Sequence, residues 1–283
     1  MLGTGSGASR RVGNGVALCW GVLLVAAVLM GMGLGGCASR KKIEVDLREP
    51  ATGWPQRAAI DVQNFHGSVT VIVDPRLDRV IPTATAGTRQ SLERGFQWRP
   101  AEAVSVVMNM EEQEGGQVLV VRTGAVWPDP DEVWVDLTIR MPACDGAIIW
   151  NRGGPVELVG VSGAVHVENG PLEVAGRGEG RSDGRIELRT NEPMTAPVAL
   201  VTKRGTVVYQ VGPNSTGMIE LVSGDRPVEF YSPGLRPDMV SGDGKRMTVQ
   251  LNGGQNPVML RSEEGLVRAA VLDEPVEYRN RWR

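Results

Sequence analysis

Two histidines and one cysteine are the side chains in the body of this chain whose types could support nucleophilic or metal chemistry. His66 and His166 each lie in or beside a run of alternating apolar residues, and Cys144 follows Met-Pro-Ala where the pattern indicates a strand end. A cysteine nucleophile needs a base within hydrogen-bonding reach, and zinc normally needs three or four converging ligands. The spacing indicates neither arrangement. We therefore predict that these residues are structural and that the chain has no catalytic residue, no metal site and no cofactor.

Four glutamates hold the middle position of short apolar-x-apolar triplets. Because side chains alternate along a strand, the middle residue of a triplet should project outward. If the triplets stack, the carboxylates form a surface ladder, most simply a solvated face and otherwise a site for cations or a partner. Glycosidic chemistry needs two carboxyl groups roughly 5 to 10 Å apart, so a polysaccharide-active enzyme stays an alternative. The four residues are Glu157, Glu173, Glu187 and Glu229.

Two other kinds of segment have the composition of ligand-binding loops. The stretch GRGEG at 176–180 is as glycine-rich as a phosphate loop, but it lacks the Lys-Ser/Thr ending and a following helix. Acidic turns at 129–132, Asp225 and Asp243 offer oxygen ligands. They lack the repeated Gly-x-Asp spacing of a calcium-binding β-roll. We therefore expect a glycine corner and solvated turns.

The elements that carry these residues are strands. From Ala58 onward, short runs rich in Val, Ile, Leu and Thr recur, separated by Gly, Asn, Asp and Pro. Inside most runs apolar residues alternate with other residues, as one buried face requires. The one helix candidate, at 88–94, is followed closely by Gly95 and Pro100. The sequence therefore predicts an all-β protein.

The second half of the chain repeats a glycine-containing turn followed by an apolar-x-apolar triplet. Clear copies begin at Gly154, Gly163, Gly170, Gly184 and Gly205. One triplet turns only two side chains inward, so copies must stack about 4.8 Å apart to build a continuous core. Glycine supplies the φ > 0 corners without a steric clash. The pattern predicts an irregular single-stranded β-solenoid over 58–272, right-handed by the general crossover preference, with 273–283 as a C-terminal tail.

The body of the chain resembles the putative adhesin family of bacterial cell-envelope proteins, whose members form β-solenoids. The segments that carry the resemblance are IDVQNFHGSVTV (60–71), VWVDLTIRMPAC (133–144), the repeats of 150–174 and NGGQNPVMLRSEEGLVRAAV (252–271). The resemblance implies adhesion and carries over no catalytic residues. This chain departs from the family in its variable repeat lengths and in the unpatterned stretch 81–100, where we expect an insertion or a long loop.

The N-terminus has the three parts of a secretory signal. Arg10 and Arg11 precede an apolar run, which ends in Leu-Gly-Gly before Cys37. This resembles the lipobox of bacterial lipoproteins, which implies that 1–36 is removed and that Cys37 carries lipid, with 37–57 as a tether. The alternative is an uncleaved signal anchor, because the run approaches the roughly 20 residues of a spanning helix. The basic residues 40–42 would then hold that side in the cytoplasm.

Charge and cysteine content narrow the function. Arg10 and Arg11 are the charged residues of the predicted signal, so the mature chain carries 28 basic and 33 acidic residues, a net charge of −5. Nucleic acid is therefore not an expected partner. With Cys37 lipidated, Cys144 is the remaining thiol, so no disulfide is expected. Ala38 replaces the aspartate associated with inner-membrane retention, which by resemblance favours the outer membrane.

We therefore expect a non-enzymatic envelope lipoprotein whose surface serves adhesion, glycan contact or protein assembly. Its expected partners are the membrane, through the lipid, and an envelope glycan or protein. The alternatives are the polysaccharide-active enzyme and a purely structural spacer.

Overall fold

The computed structural model describes residues 43–45, 54–88, 102–126, 133–170 and 184–278, all within one compact unit, Arg40–Arg283. In these ranges the chain forms strands, turns and bends and no α-helix, so the all-β prediction is confirmed. The described residues accordingly include no helix long and apolar enough to cross a membrane. Several predicted features lie outside the described residues: the signal 1–36, Cys37, Glu173, the 129–132 turn, the 176–180 loop and most of the helix candidate at 88–94.

Nineteen strands in these ranges form two mixed sheets, one of ten strands and one of nine. In chain order they are β1 Ile43–Val45, β2 Arg57–Asn64, β3 Val69–Val73, β4 Ile81–Thr88, β5 Val104–Gln113, β6 Gly116–Ala125, β7 Val133–Met141, β8 Ala143–Asn151, β9 Val156–Val159, β10 Ala164–Asn169, β11 Ile186–Thr190, β12 Val198–Thr202, β13 Val207–Val211, β14 Gly217–Ser223, β15 Val228–Tyr231, β16 Met239–Gly242, β17 Arg246–Leu251, β18 Pro257–Ser262 and β19 Val267–Val271.

Seven pairs of consecutive strands each place their first strand in the ten-stranded sheet and their second in the nine-stranded sheet. We call such a pair a rung. Neighbouring rungs pair in parallel in both sheets, in the spatial order β6/β7, β2/β3, β8/β9, β10/β11, β12/β13, β18/β19, β14/β15. Antiparallel strands extend both ends of the stack: β4 and β1 beyond β7, β5 beyond β6, and β17 and β16 beyond β14.

The core lies between the two sheets because each strand buries alternate side chains. In β9, Val156 and Leu158 are buried while Glu157 between them is partly exposed. In β10 of the other sheet, Val165 and Val167 are buried on either side of His166. Burying one such side chain stabilises the fold by about 1.5 to 3 kcal/mol. The inward residues of both sheets form one hydrophobic cluster.

Glycine holds the corner at which several rungs pass from one sheet to the other. Gly67, Gly154 and Gly205 have positive φ angles of 119°, 91° and 130°, a region that glycine adopts without a Cβ clash. A Cβ on Gly154 would overlap the carbonyl oxygen of Gly67, and one on Gly205 would overlap that of Gly184. These corners therefore stack too closely for any side chain.

Three details differ from the sequence-based expectations. The stretch 81–88 was expected in an insertion or loop, but it forms β4, whose buried residues are the small Ala84 and Ala86, which a Val/Ile/Leu pattern misses. The triplet after Gly163 belongs to the ten-stranded sheet, whereas those after Gly154, Gly184 and Gly205 belong to the nine-stranded sheet. Ile43–Val45, within the expected tether, pair with β4.

Candidate functional site

A row of buried polar side chains runs along the ten-stranded sheet at the corners that lead to the other sheet. Asn64, Asn151 and Asn169 each end their strand and lie side by side in register. Asn64 Nδ2 donates a hydrogen bond to Asn151 Oδ1 at 3.0 Å, and Asn151 Nδ2 donates to Asn169 Oδ1 at 3.3 Å. Thr202, Ser262 and Ser223 continue the row in register, and each member of the row is no more than 4% exposed.

These polar side chains satisfy carbonyl groups of the corners. Asn169 Nδ2 donates to the carbonyl oxygen of Gly154 at 2.8 Å, and Ser262 Oγ donates to that of Gly205 at 2.8 Å. A buried carbonyl without such a donor costs about 1 to 3 kcal/mol. The signal in the sequence is a polar residue followed three positions later by glycine, as at Asn151 and Gly154, and the triplet analysis missed it. The row fixes the strand ends and thereby the side chains on both outer faces.

The predicted glutamates lie on the outer face of the nine-stranded sheet. Glu157 and Glu187 are adjacent in register. Glu229 lies further along the same row, because Val208 and Arg268 occupy the two intervening strands. The structure therefore brings two of the four glutamates together and places the third three strands away.

Arginine side chains accompany each of these carboxylates. Arg189 forms ion pairs with both Glu157 and Glu187, its Nε lying 3.1 Å from Glu187 Oε1. Arg185 Nη2 lies 2.7 Å from Glu187 Oε2, and Arg268 Nε lies 2.8 Å from Glu229 Oε2. The face is thus a network of ion pairs that ties neighbouring rungs together, with charges of both signs.

Arg189 also holds the end of the described chain, 272–278, which we call the C-terminal segment. Its side chain is 3% exposed although it projects from the outer face. Arg189 Nη1 donates to the carbonyl oxygen of Val276 at 3.0 Å, and the Val276 N–H donates to Asn191 Oδ1 at 3.1 Å. Both main-chain groups of Val276 are therefore held by side chains of one rung.

An open cleft of about 550 Å³ lies between the end of β15 and the C-terminal segment. Its charge favours cations over anions, because three carboxylates and two phenol groups line it. Among the described residues, no group of three or more His, Cys, Asp or Glu side chains could hold a metal ion. The lining residues are Tyr231, Pro233, Leu272, Asp273, Glu274, Glu277 and Tyr278.

The outer face of the ten-stranded sheet has a different character. Ile148, His166, Ala199 and Met259 form one continuous row across four neighbouring strands. Ile148 is 48% exposed and Met259 38% exposed. Trp150 lies beside this row, with its ring centroid 5.3 Å from that of His166 and the two planes tilted by 44°. We call these five residues the aromatic platform.

Polar side chains surround the aromatic platform. Gln63 and Glu168 flank Trp150 directly in register, and His166 Nε2 lies 3.0 Å from Glu168 Oε1. Arg122 Nη2 donates to Asp61 Oδ2 at 2.6 Å beside Ile148, so that this acidic and basic pair is closed on itself. The platform therefore combines apolar faces with hydrogen-bonding groups at its rim. The sequence pattern does not predict the platform, because its residues come together only through the register of four strands.

Cys144 and His66 are held within the fold. Cys144 is 2% exposed, and its Sγ donates to the carbonyl oxygen of Gly146 at 3.3 Å. Burial raises the pKa of its thiol to about 12, so the thiolate that a nucleophile requires is scarce at neutral pH. His66 Nδ1 lies 3.2 Å from the carbonyl oxygen of Val133.

No model of a known protein family and no curated protein sequence matches the chain. Two solved structures are similar to it. One is of a putative cell adhesion protein from Clostridium sporogenes ATCC 15579, with 10% sequence identity, a TM-score of 0.44 and coverage of 83% of this chain and 100% of that one. The other is of a putative adhesin from Bacteroides fragilis NCTC 9343, with 10% identity, a TM-score of 0.31 and coverage of 83% and 99%. Likeness this distant does not show which family the chain belongs to.

Proposed function

We propose that this chain is a lipid-anchored β-solenoid protein of the bacterial cell envelope, and that it acts without catalysis by presenting a surface for adhesion. The aromatic platform is the observation that carries the proposal. Ile148, Met259 and the His166–Trp150 ring pair lie together on a solvent-exposed sheet face. Apolar and aromatic side chains with a few placed polar groups are the usual lining of a ligand site. The outer face of the nine-stranded sheet instead carries an ion-pair network.

The parallel order of the rungs supports the solenoid. Each rung supplies one strand to each sheet, and the polar row and glycine corners repeat at the same place in successive rungs. We propose right-handed crossovers, because parallel strands are joined with that hand in almost all known cases. An experimental structure with a left-handed path from β8 through β9 to β10 would contradict this part of the proposal.

Lipid anchoring at Cys37 is tested with the full-length gene in a bacterial host. Wild-type protein is expected in the outer-membrane fraction, with an N-terminal peptide that carries acyl chains and begins at Cys37. A Cys37→Ser variant is expected to lose the acyl mass and to be absent from the outer-membrane fraction. Cys144→Ser is the matched control and should keep both properties. A wild-type peptide that still contains residues 1–36 would favour the uncleaved signal anchor.

Adhesion is tested by measuring how well bacterial cells that carry the full chain attach to surfaces coated with other cells, glycans or proteins. We expect that deletion abolishes attachment and that Ile148→Lys combined with Met259→Lys does the same. Ile81→Lys, an equally exposed position on the nine-stranded sheet, should leave attachment unchanged. Attachment that survives deletion would favour a spacer. Release of reducing ends from a glycan, lost in Glu187→Gln, would favour the enzyme.

A further inference from the structure

We propose that the aromatic platform binds an uncharged saccharide chain laid across strands β8, β10, β12 and β18. The inference deepens the proposed adhesive function and rests on it, because it names both the surface and the chemical class of its ligand. It is carried by the juxtaposition of two aromatic rings, a small residue between larger ones, and hydrogen-bonding side chains in the adjacent row.

The shape of the platform follows from the sizes of its side chains. Ala199 lies between His166 and Met259 in register, so a methyl group separates two larger side chains. Ala199 is partly exposed, and the side chain of His166 is 39% exposed. The short methyl group therefore leaves a low point in the row between the imidazole and the thioether, which we call the Ala199 depression. Because neighbouring strands are about 4.8 Å apart, the four-strand row is about 14 Å long, which suits a few linked sugar rings.

The side chains of the platform match the chemistry of a sugar ring. A sugar ring has a face of C–H groups and an edge of hydroxyl groups. Aromatic rings offer a negative face that attracts such C–H groups, and Trp150 and His166 together supply two rings in contact. Gln63 and Glu168, on either side of Trp150 in register, can accept and donate hydrogen bonds at the hydroxyl edge. Pockets for small ligands generally combine an apolar floor with a few placed polar groups.

The area of the platform suits a saccharide better than a protein partner. A stable protein complex buries about 800 Å² on each partner. The platform is two side-chain rows wide, so it measures roughly 14 Å by 10 Å, which is far less. A row of side chains across four neighbouring strands also suits an extended, ribbon-like chain.

The charged side chains around the platform indicate the charge of its ligand. Asp61 and Arg122 neutralise each other through paired hydrogen bonds. Glu168 and the exposed Arg261 lie two strands apart in the same row, so their charges offset each other. Glu220, next to Met259 in register, forms an ion pair with Arg246. Each carboxylate around the platform is thus balanced by an arginine, so the rim favours an uncharged saccharide over an anionic one.

The experiment titrates the purified full chain in detergent with neutral tetrasaccharides (cello-, chito-, malto- and laminari-tetraose) and with oligogalacturonate as the anionic arm. Heat of binding is measured by calorimetry. We expect at least one neutral probe to bind, with an affinity that changes less than about twofold between low and high salt. Trp150→Ala should weaken it about tenfold by loss of ring contact, and Ala199→Arg should abolish it by filling the depression.

Tyr231→Ala is the control, because it removes an exposed aromatic ring from the other sheet, and it should bind as the wild type does. Thermal unfolding of each variant separates loss of the site from loss of the fold. Absence of binding by every neutral probe, binding by oligogalacturonate alone, or unchanged binding in folded Trp150→Ala and Ala199→Arg would each overturn the inference. Cells that attach equally well with these two variants would overturn it too while leaving the adhesive function standing. Loss of attachment and saccharide binding together supports both.

Discussion

Arg189 donates a hydrogen bond of 3.0 Å from Nη1 to the carbonyl oxygen of Val276, which lies 87 residues further along the chain. The same guanidinium forms ion pairs with Glu187 on its own rung and with Glu157 on the adjacent rung. Arg189 therefore links two neighbouring rungs to the C-terminal segment. Because its side chain is almost fully buried, these partners compensate a buried positive charge.

Replacement of Arg189 by Met should lower the free energy of unfolding by roughly 3 kcal/mol, since two partly buried carboxylates lose their shared cation. Limited proteolysis followed by mass spectrometry should also show earlier cleavage within 272–278. Arg185→Met, which removes a more exposed ion pair, should cost no more than about 1 kcal/mol. Adding Glu157→Gln to Arg189→Met should restore part of the stability, because the carboxylate that has lost Arg189 is then neutral. Equal effects of the two arginine variants would contradict this role.

The stacking of glycine corners is tested by two glycines with nearly the same φ angle. Gly154 and Gly244 have φ angles of 91° and 88°, but a Cβ would meet the carbonyl of Gly67 at the first and nothing within 4 Å at the second. Gly244→Ala should therefore cost about 1 kcal/mol for the backbone conformation alone. Gly154→Ala should cost about 4 kcal/mol or more, as urea unfolding would show. Similar losses would mean that the rungs are less closely stacked.

The local pattern predicted most of the strands, though not β1 and β4, and the outward direction of Glu157, Glu187 and Glu229, because alternation of buried and exposed side chains is a property of a few neighbouring residues. It could not predict the order of the rungs. The chain passes from β13 to the outer rung β14/β15 and returns to insert β18/β19 between them. The triplets of β15 and β19 are equally apolar, so the choice between them depends on the whole stack.

The arginine partners and the aromatic platform escaped the sequence analysis for the same reason. The contact of Arg189 with Val276 spans 87 residues. The row from Ile148 to Met259 is assembled from four strands whose register is set by the polar row and the corners. Periodicity assigns a side chain to a face, but it does not say which side chains of other strands lie beside it.

The polar row should be sensitive to loss of one member. Asn151 Nδ2 donates to the carbonyl oxygens of Gly67 and Gly153 at 3.1 and 3.0 Å. Asn151→Ala removes these hydrogen bonds and the one that Asn64 Nδ2 donates to Asn151 Oδ1, so it should lower the free energy of unfolding by about 2 to 4 kcal/mol. Asn109→Ala, at an exposed position of β5, should change it by no more than about 0.5 kcal/mol. Comparable values for the two variants in urea titrations would argue against the row as a source of stability.

Asp74 makes part of the stability dependent on acid pH. The guanidinium groups of Arg76 and Arg140 hold its pKa at about 2, below the usual value of 3.8. A carboxyl whose pKa is depressed in the folded state contributes stability above its unfolded pKa and loses it as pH falls through the folded pKa. Asp74→Asn should therefore lower the urea midpoint at pH 7, and the difference from wild type should shrink between about pH 5 and pH 2. A difference that grows with acidity would contradict the assignment.

Cys144 gives a direct measure of whether the core opens. Burial raises the pKa of its thiol to about 12, and only the thiolate attacks iodoacetamide, displacing iodide. Burial and the raised pKa therefore both protect Cys144 in the folded protein. At pH 8 the peptide that contains Cys144 should stay unmodified by iodoacetamide for as long as the chain is folded, and should react fully in urea. Gly154→Ala and Asn151→Ala should react faster than wild type, because both raise the population of open states. Rapid modification of the native wild-type protein would show that the space between the sheets is accessible to solvent, and the buried rungs could not then be the rigid support of the platform.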